Sequence, residues 1–512
     1  MRRREFLSAS ATWLAGVSAT GLSGCAGPAL LRHGSPDDDA LARLDAIGQA
    51  ALVARGDVHP GELIEAAMRR IAALDPTLNA VVTRSFDRAL GRVVNDRPAG
   101  PLAGVPYLLK DLTDWEGVRC TRGSRLFLNR IAPASPELVT RSEAAGLVVL
   151  GKTNTPEFGL LPSTEPLALG ACRNPWDPTR STGGSSGGAA AAVAAGLVPL
   201  AEASDGGGSI RIPAACCGVF GLKPSRGRGV NAGDGPGAYD IVVHHCVSRS
   251  VRDSALLLSL TERTGPDAPL PPVGFVREPA KRRLRIAVST KSALGSEPDP
   301  EVRAACEEVA RLCAELGHEL VEQSPVYDGP AFLEHFLTLW AHGPSQLVAD
   351  LEARGVAPEA VLEPWTLGLA AEYRAKPLGT LAQAIAFFDS LVPRIDAFFE
   401  DFDVWLTPVL ASPPPALGEL APEVAFATLR ERCVQYVGYT PLHNVAGTPA
   451  MSVPLGRSAA GLPIGLQLAA RRGAEATLLA LAYELEAAAP WADRWPPYAA
   501  VAGRSARALI RA

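Results

Sequence analysis

The sequence lacks several features that mark large classes of protein. Its 49 lysine and arginine residues are outnumbered by 54 aspartate and glutamate residues, and no long basic block follows the N-terminus. This balance gives no electrostatic reason to expect nucleic-acid binding. The sequence also has no CxxC pair, no Cys/His cluster with zinc spacing, and no repeat with a period of about 20–50 residues. These absences argue against a zinc module, a solenoid and a propeller.

The N-terminus resembles an export signal. Arg3 and Arg4 begin a pattern typical of twin-arginine signals, and residues 8–22 are too few and too weakly apolar for a membrane-spanning helix. Cys25 ends a segment similar to a lipobox, where bacterial lipoproteins are cleaved and acylated. We therefore expect a signal over 1–25, a tether over 26–39, and an exported protein that is periplasmic or held at the membrane by a lipid on Cys25. A basic start with a chance cysteine is the alternative.

Eight further cysteines raise the question of disulfides, because an even number in an exported protein often indicates pairing. The twin-arginine route, as that resemblance implies, carries proteins already folded in a reducing compartment. Many of these cysteines also lie in apolar contexts, where a thiol acts as a small hydrophobic group. We expect mostly free thiols at Cys120, Cys172, Cys216, Cys217, Cys246, Cys306, Cys313 and Cys433.

The body of the chain has the composition of a large globular protein, with 47% apolar and 20% charged residues. Strands alternate with helices over most of its length, which predicts a large layered α/β domain. A helical region over 320–400 is expected to cover one side. The hydrophobic patterns predict helices over 40–55, 61–75, 137–145, 187–196, 299–317 and 474–488, and strands over 104–111 and 146–150.

One motif is a decoy. Residues 146–153 match the phosphate-loop pattern G-x-x-x-x-G-K-[ST]. The four intervening residues are Leu-Val-Val-Leu, which favour a strand, whereas a phosphate cradle needs a turn whose N–H groups converge on the anion. We interpret this segment as a strand.

Two serines in glycine-rich surroundings are the strongest functional signal. Ser209 follows Gly206–Gly208, whose backbone can turn several N–H groups toward one point beside the hydroxyl. Ser185 lies in a second glycine-rich segment and can pass a proton between Ser209 and an amine. Lys110 is a candidate base, since a lysine removed from water can be neutral near physiological pH. Either serine alone would suit an ordinary turn, but the combination favours a hydrolase that needs no histidine.

These residues stand in motifs that resemble the amidase signature family over roughly residues 40–500. The resemblance implies a large single domain over 40–505, with a mixed central sheet covered by helices on both faces. Residues 215–218, 223–228 and 247–253 are similar to the branch of 6-aminohexanoate-cyclic-dimer hydrolase. The family motifs occupy residues 104–111, 151–154, 173–176, 183–188, 204–214, 221–224, 406–408, 447–450 and 461–467.

The resemblance also implies roles for the candidate residues. Ser209 would be the nucleophile that forms an acyl-enzyme, Ser185 the bridging serine after a cis peptide from Gly184, and Lys110 the base. The backbone amides of Gly206, Gly207, Gly208 and Ser209 would form the oxyanion hole. No cofactor or metal is implied.

Residues that flank the nucleophile are expected to support it. Asp205 and Arg211 should hold the turn through hydrogen bonds. Ser204 and Gly206 stand where the family commonly has threonine. Glycine at 206 still fits the oxyanion hole, because only its backbone amide is required.

The expected reaction is hydrolysis of the C–N bond of a linear or cyclic amide, with a small molecule as substrate. An esterase would use the same apparatus, and a glutamine-dependent amidotransferase subunit fits the family but not an export signal. An exported lipoprotein that binds without catalysis is the alternative from another class. A homodimer is compatible with the sequence.

We expect residues 230–245 and 320–430 to line the substrate pockets. His244 and His245 are expected to be structural residues with their hydrogen bonds satisfied, and Arg173 and Trp176 to anchor a loop.

Overall fold

Strands and helices alternate along most of the chain in the computed structural model, which describes residues 38–95, 98–233, 237–279 and 281–501. The helices α1 to α16 are Asp38–Arg43, Ala46–Arg55, Pro60–Leu78, Phe86–Asn95, Glu137–Ala144, Gly187–Ala194, Arg211–Cys217, Val251–Thr261, Pro300–Glu315, Gly329–Ala353, Pro358–Val361, Pro364–Arg374, Thr380–Asp401, Phe426–Tyr436, Pro441–Val445 and Glu475–Ala488. The strands β1 to β13 are Val81–Arg84, Pro106–Lys110, Val148–Thr153, Arg173–Asn174, Asp177–Ser181, Leu200–Asp205, Phe220–Lys223, Val243–Ser248, Arg285–Val288, Glu319–Glu322, Val404–Pro408, Ala450–Arg457 and Pro463–Ala470.

The central sheet has eight strands in the order β10-β9-β11-β13-β12-β7-β8-β6. Strand β9 is parallel to both β10 and β11, and the remaining neighbours are antiparallel. The sheet is therefore mixed, as expected. A smaller sheet, β1-β3-β2, contributes the strand that carries Lys110.

Side chains that alternate along the central strands explain why helices cover both faces. Leu406 and Met451 pack with helices α8, α9 and α16 on one face. The adjacent residues, Trp405 and Ala450, pack with α10, α13 and α15 on the other. This arrangement confirms the predicted α/β architecture.

Helix α6 is buried along its whole length, which explains its composition of Gly, Ala and one Val. A Cβ on Gly188 would lie 2.3 Å from the backbone nitrogen of Asn154, so the helix packs directly against the backbone of the segment that follows β3. Small residues permit this contact, and the contact places the segment around Ser185 against the smaller sheet.

The predicted helices are largely confirmed, with one correction at the start of the domain. Residues 40–55 form two helices instead of one, because the side chain of Asp45 accepts a hydrogen bond from Gly48 N and caps a new helix. The region 320–400 is mostly helical, and Val148–Thr153 is a strand, which confirms that the phosphate-loop pattern is a decoy.

Some expectations fall outside the described residues. The signal over 1–25, most of the tether over 26–39, and the domain end at 505 lie there. None of the described helices has the length and apolar character needed to cross a membrane.

Candidate active site

Lys110 lies at the end of β2, a strand with every residue buried. Its Nζ donates hydrogen bonds to Ser185 Oγ at 2.7 Å and to Ser204 Oγ at 3.0 Å. Its own backbone N–H donates to Glu202 Oε2 at 2.7 Å. The strand therefore delivers the amine into the interior, where two hydroxyls from other segments meet it.

Ser185 follows a cis peptide bond from Gly184. A Cβ on Gly184 would lie 2.4 Å from Ser163 O, so only glycine fits there. A Cβ on Gly159 would come within 3.0 Å of Ser185 Oγ, which places this glycine directly against the hydroxyl. The side chain of Ser185 is thus fixed between Lys110 and the backbone around Gly159.

Ser209 follows β6 by four residues and is 7% exposed. Its carbonyl accepts a hydrogen bond from Ser186 N at 3.2 Å, which joins the two serine segments. Ser209 and Gly184 line the same cavity. No hydrogen bond joins Ser185 Oγ to Ser209 Oγ within the described residues, although catalytic bonds are often formed only once substrate is bound.

Asp205 and Arg211 hold the turn before and after Ser209, as expected. Both side chains are buried, and Arg211 donates from Nε and Nη2 to the two carboxylate oxygens at 2.9 and 2.8 Å. Asn444 donates to the same carboxylate at 2.9 Å. Burial alone would raise the pKa of Asp205, but the charge and hydrogen bonds of Arg211 outweigh burial and hold that pKa well below its usual range.

The structure corrects one part of the expected oxyanion hole. Gly208 N–H already donates to Asp205 Oδ1 at 2.7 Å, so it is engaged within the turn. Gly208 has φ +133°, and a Cβ there would lie 2.3 Å from Thr440 Oγ1, so glycine is required for the shape of the turn. Within the described residues, the backbone amides of Gly206, Gly207 and Ser209 have no hydrogen-bond acceptor and remain the candidate donors.

Ser204 and Glu202 were not assigned a role from sequence. Ser204 is a second partner of Lys110 Nζ, and Glu202 accepts from the backbone of Lys110. Glu202 Oε1 also bonds His244 Nδ1 at 3.0 Å. The alternation of residues along β6 was the available signal, since it places 202 and 204 on one face of the strand that precedes the nucleophile.

An apolar cavity of about 80 Å³ opens beside Ser209. Its wall includes residues of α10 and α12 within the predicted range 320–430. No described residue of 230–245 lines it, and the segments 159–162 and 433–441 contribute instead. This cavity is therefore lined in part by the range 320–430 and not by the described residues of 230–245.

The other residues singled out in the sequence were expected to have structural roles. All eight cysteines of the described residues are free thiols, and burial raises the pKa of Cys216 and of the cavity residue Cys433 to about 12. His245 bonds Ser254 Oγ at 2.8 Å in the interior. Trp176 Nε1 donates to a backbone carbonyl at 2.8 Å, as a loop anchor does. Arg173 Nη1 likewise donates to the carbonyl of Pro178, at 3.0 Å.

Comparison with known proteins defines the class as amide hydrolases. The family model described as Amidase matches residues 62–479. AmiC of Mycobacterium leprae (strain TN) is 41% identical over 465 residues, which are 89% of this chain and 97% of that protein. The acylamidase of Rhodococcus erythropolis is 36% identical over 477 residues, covering 88% and 97% of the two chains.

Solved structures show the same relationship. The structure of 6-aminohexanoate cyclic dimer hydrolase complexed with substrate has a TM-score of 0.82 and 34% identity, and the match covers 89% of this chain and 99% of that one. A bacterial aryl acylamidase of the amidase signature family has a TM-score of 0.76 and 26% identity, with 88% and 96% covered. The chain belongs to the amidase signature family and hydrolyses carbon–nitrogen bonds of amides, and its likeness to the cyclic dimer hydrolase is confirmed.

Proposed function

We propose that this amidase cleaves its substrate through an acyl-enzyme on Ser209, with Ser185 and Lys110 as a proton relay. The observation that carries the proposal is the 2.7 Å hydrogen bond between Lys110 Nζ and Ser185 Oγ, beside the cavity that Ser209 lines. Lys110 is fully buried, and its amine is held by two hydroxyl groups. It is the kind of group that can act as a base.

The relay follows from the partners of the amine. When Lys110 is neutral, Nζ can still donate to Ser204 Oγ while its lone pair accepts the proton of Ser185. Ser185 then accepts the proton of Ser209 as the Ser209 oxygen attacks the carbonyl carbon. The C–N bond breaks as Ser185 returns a proton to the amine, and water then releases the acid by the same steps in reverse.

The developing oxyanion needs preorganised donors close to the attacking oxygen. The amides of Gly206, Gly207 and Ser209 supply them in this proposal. Thr440 Oγ1 donates to the carbonyl of Gly207 at 2.6 Å, which fixes the peptide that bears the amide of Gly208 and orients the turn. Each such donor typically contributes about 2.7–4 kcal/mol to transition-state stabilisation.

Replacement of the nucleophile tests the proposal. Ser209→Ala should lower kcat by about a million-fold, as loss of the nucleophile does in a comparable serine hydrolase. A fluorophosphonate probe should label Ser209 in the parent enzyme and not in the variant. Ser390→Ala, at an exposed serine of α13, is the matched control and should change neither readout. Normal turnover by purified Ser209→Ala would refute the assignment.

Ester hydrolysis uses the same groups, so the preference for amides is measured with paired substrates. An ester and an amide with identical acyl groups form the same acyl-enzyme and differ only in the leaving group. If the relay through Ser185 serves an amine, Ser185→Ala should impair the amide much more than the ester. Equal loss on both would mean that Ser185 serves the attack of Ser209 and not the departure of the amine.

We also propose export for this chain, on the basis of Arg3, Arg4 and the lipobox-like end at Cys25. Fractionation of cells that express the full chain should find the parent protein at the membrane or in the periplasm. Replacement of both arginines by lysine should retain it in the cytoplasm. Cys25→Ser should abolish incorporation of a labelled fatty acid, and incorporation into that variant would overturn lipidation at this residue.

A further inference from the structure

The cavity beside Ser209 is lined by no charged side chain of the part of the chain that the structure describes. Among the described residues that line it, all are apolar or glycine except Ser209 itself and Cys433. The raised pKa of the Cys433 thiol, about 12, keeps this group neutral. A substrate group that enters the cavity therefore meets no counter-ion.

The indole N–H groups of the two tryptophans in the wall are already used. Trp340 of α10 and Trp365 of α12 both donate from Nε1 to the carbonyl of Leu160, at 3.2 and 3.1 Å. A carbonyl oxygen has two lone pairs, so this acceptor is fully occupied. Both indole N–H groups are occupied as well, which leaves the wall with apolar ring surfaces.

The aromatic wall stands on the side of the candidate oxyanion donors. A Cβ on Gly206 would lie 3.4 Å from Trp340 Cζ3, and a Cβ on Gly207 would lie 3.1 Å from Phe336 Cζ. Ser185, which returns the proton to the amine in the proposed mechanism, lies against Gly159, at another part of the cavity lining. The rings of Trp340 and Phe336 are thus the part of the wall that lies beside the donors to the carbonyl oxygen.

We infer that this cavity is the acyl pocket and that it selects uncharged, apolar acyl groups. The inference rests on the proposed function of Ser209. An ammonium or carboxylate at the end of the acyl chain would lose its hydration without a partner, which strongly disfavours its binding. The cavity is about half the size of a 150 Å³ cavity that holds benzene, so a slim alkyl chain fits better than a bulky ring system.

A series of p-nitroanilides with a constant amine tests the selection. The hexanoyl substrate should exceed the acetyl substrate in kcat/KM by at least about ten-fold, since one methylene in an apolar pocket is worth roughly 10–200-fold. The 6-aminohexanoyl substrate, which adds only a terminal ammonium, should be at least about a hundred-fold worse than hexanoyl. Equal rates for these two substrates would overturn the inference.

A charge placed in the wall provides the matched variant test. Leu337 is a half-buried cavity residue, so a polar side chain can be tolerated there. Leu337→Glu should raise the ratio of 6-aminohexanoyl to hexanoyl kcat/KM by at least about ten-fold, and Leu337→Gln should not. An unchanged ratio in a folded Leu337→Glu enzyme would overturn the assignment of this wall to the acyl group.

Two further measurements separate this inference from the proposed mechanism. With the hexanoyl group constant and the amine varied, kcat/KM should change less than across the acyl series; the opposite order would assign the cavity to the amine. Fluorophosphonate labelling of Ser209 reports the mechanism independently of acyl preference. Labelling without acyl selection overturns the inference alone, whereas no labelling overturns the nucleophile and the acyl pocket together.

Discussion

The surroundings of Ser209 have a polar side and an apolar side, which are built by different means. The polar side, defined by Lys110, Ser185, Ser204, Asp205 and Arg211, is a network in which buried polar groups hydrogen-bond one another. The apolar side is defined by Leu160, Leu333, Phe336, Trp340 and Trp365, with its few polar atoms occupied internally. The difference separates two tasks, since the first side can move protons and the second can only select shape and polarity.

After loss of the nucleophile itself, the largest expected effect comes from removal of the amine on the polar side. Lys110→Met keeps the length of the side chain but has no basic nitrogen, and should lower kcat/KM near pH 7 by about 10²–10⁴-fold, the usual contribution of general base catalysis. Steady-state kinetics on one p-nitroanilide measures the loss, with thermal unfolding as the check on folding. Activity within ten-fold of the parent enzyme would remove Lys110 from the mechanism.

The next largest effect is expected on stability, when the buried ion pair that supports the polar side is broken. Asp205→Asn leaves the buried Arg211 without its charged partner and should lower the free energy of unfolding by about 3–5 kcal/mol. The urea midpoint, compared at unchanged slope, measures the change. Asp350→Asn, which breaks an exposed pair with Arg354, is the control and should cost about 0–1 kcal/mol. Equal effects would mean that the turn does not depend on the buried pair.

A third prediction concerns the pH dependence of stability, which Glu363 should influence at the start of the helix that carries part of the apolar side. Glu363 precedes α12, which carries Trp365, and burial together with the Glu157 carboxylate raises the pKa of Glu363 to about 8. Because this folded-state pKa exceeds the unfolded value, the native state keeps the proton longer and stability falls as pH rises from about 5 to 8. Glu363→Gln should therefore gain stability relative to the parent over that range, by at least about 1.4 kcal/mol, which is one pKa unit.

Denaturant unfolding at pH 5 and pH 8 measures this difference. Glu363 accepts a hydrogen bond from Leu167 N, and glutamine can still accept it, so the substitution removes the ionisation and keeps the contact. Glu359→Gln, at an exposed position of α11, is the control. A parallel pH dependence in parent and Glu363→Gln would contradict the prediction.

The smallest expected effect tests the indole contacts of the apolar side. Trp340→Phe keeps an aromatic ring but loses one of the two bonds to the Leu160 carbonyl, which is worth about 0.5–1.5 kcal/mol. We expect kcat/KM for a hexanoyl amide to fall by no more than about ten-fold, with acetyl amide turnover nearly unchanged. A larger loss on acetyl than on hexanoyl would mean that Trp340 serves the chemistry and not the acyl group.

The two sides also differ in how far the sequence predicts them. Lys110, Ser185 and Ser209 stand in short glycine-rich or strand-ending motifs whose backbone demands are local, so their grouping could be proposed before the structure. The direction in which each backbone N–H points could not be predicted from the sequence. In the structure, Gly208 N–H donates to Asp205. The apolar side depends on contacts between Leu160, Trp340 and Trp365, which are far apart in the chain. Residues of these types occur in every hydrophobic core, so the sequence alone does not indicate that these three meet.

The central claim is that acylation occurs on Ser209, and intact-protein mass spectrometry during turnover tests it most directly. With a slowly hydrolysed hexanoyl amide and the matching ester, both reactions should show the same added hexanoyl mass, located by peptide mapping to Ser209. Lys110→Met should accumulate the adduct only slowly. Absence of any adduct under turnover conditions, or its location on Ser185 or Lys110, would contradict the account.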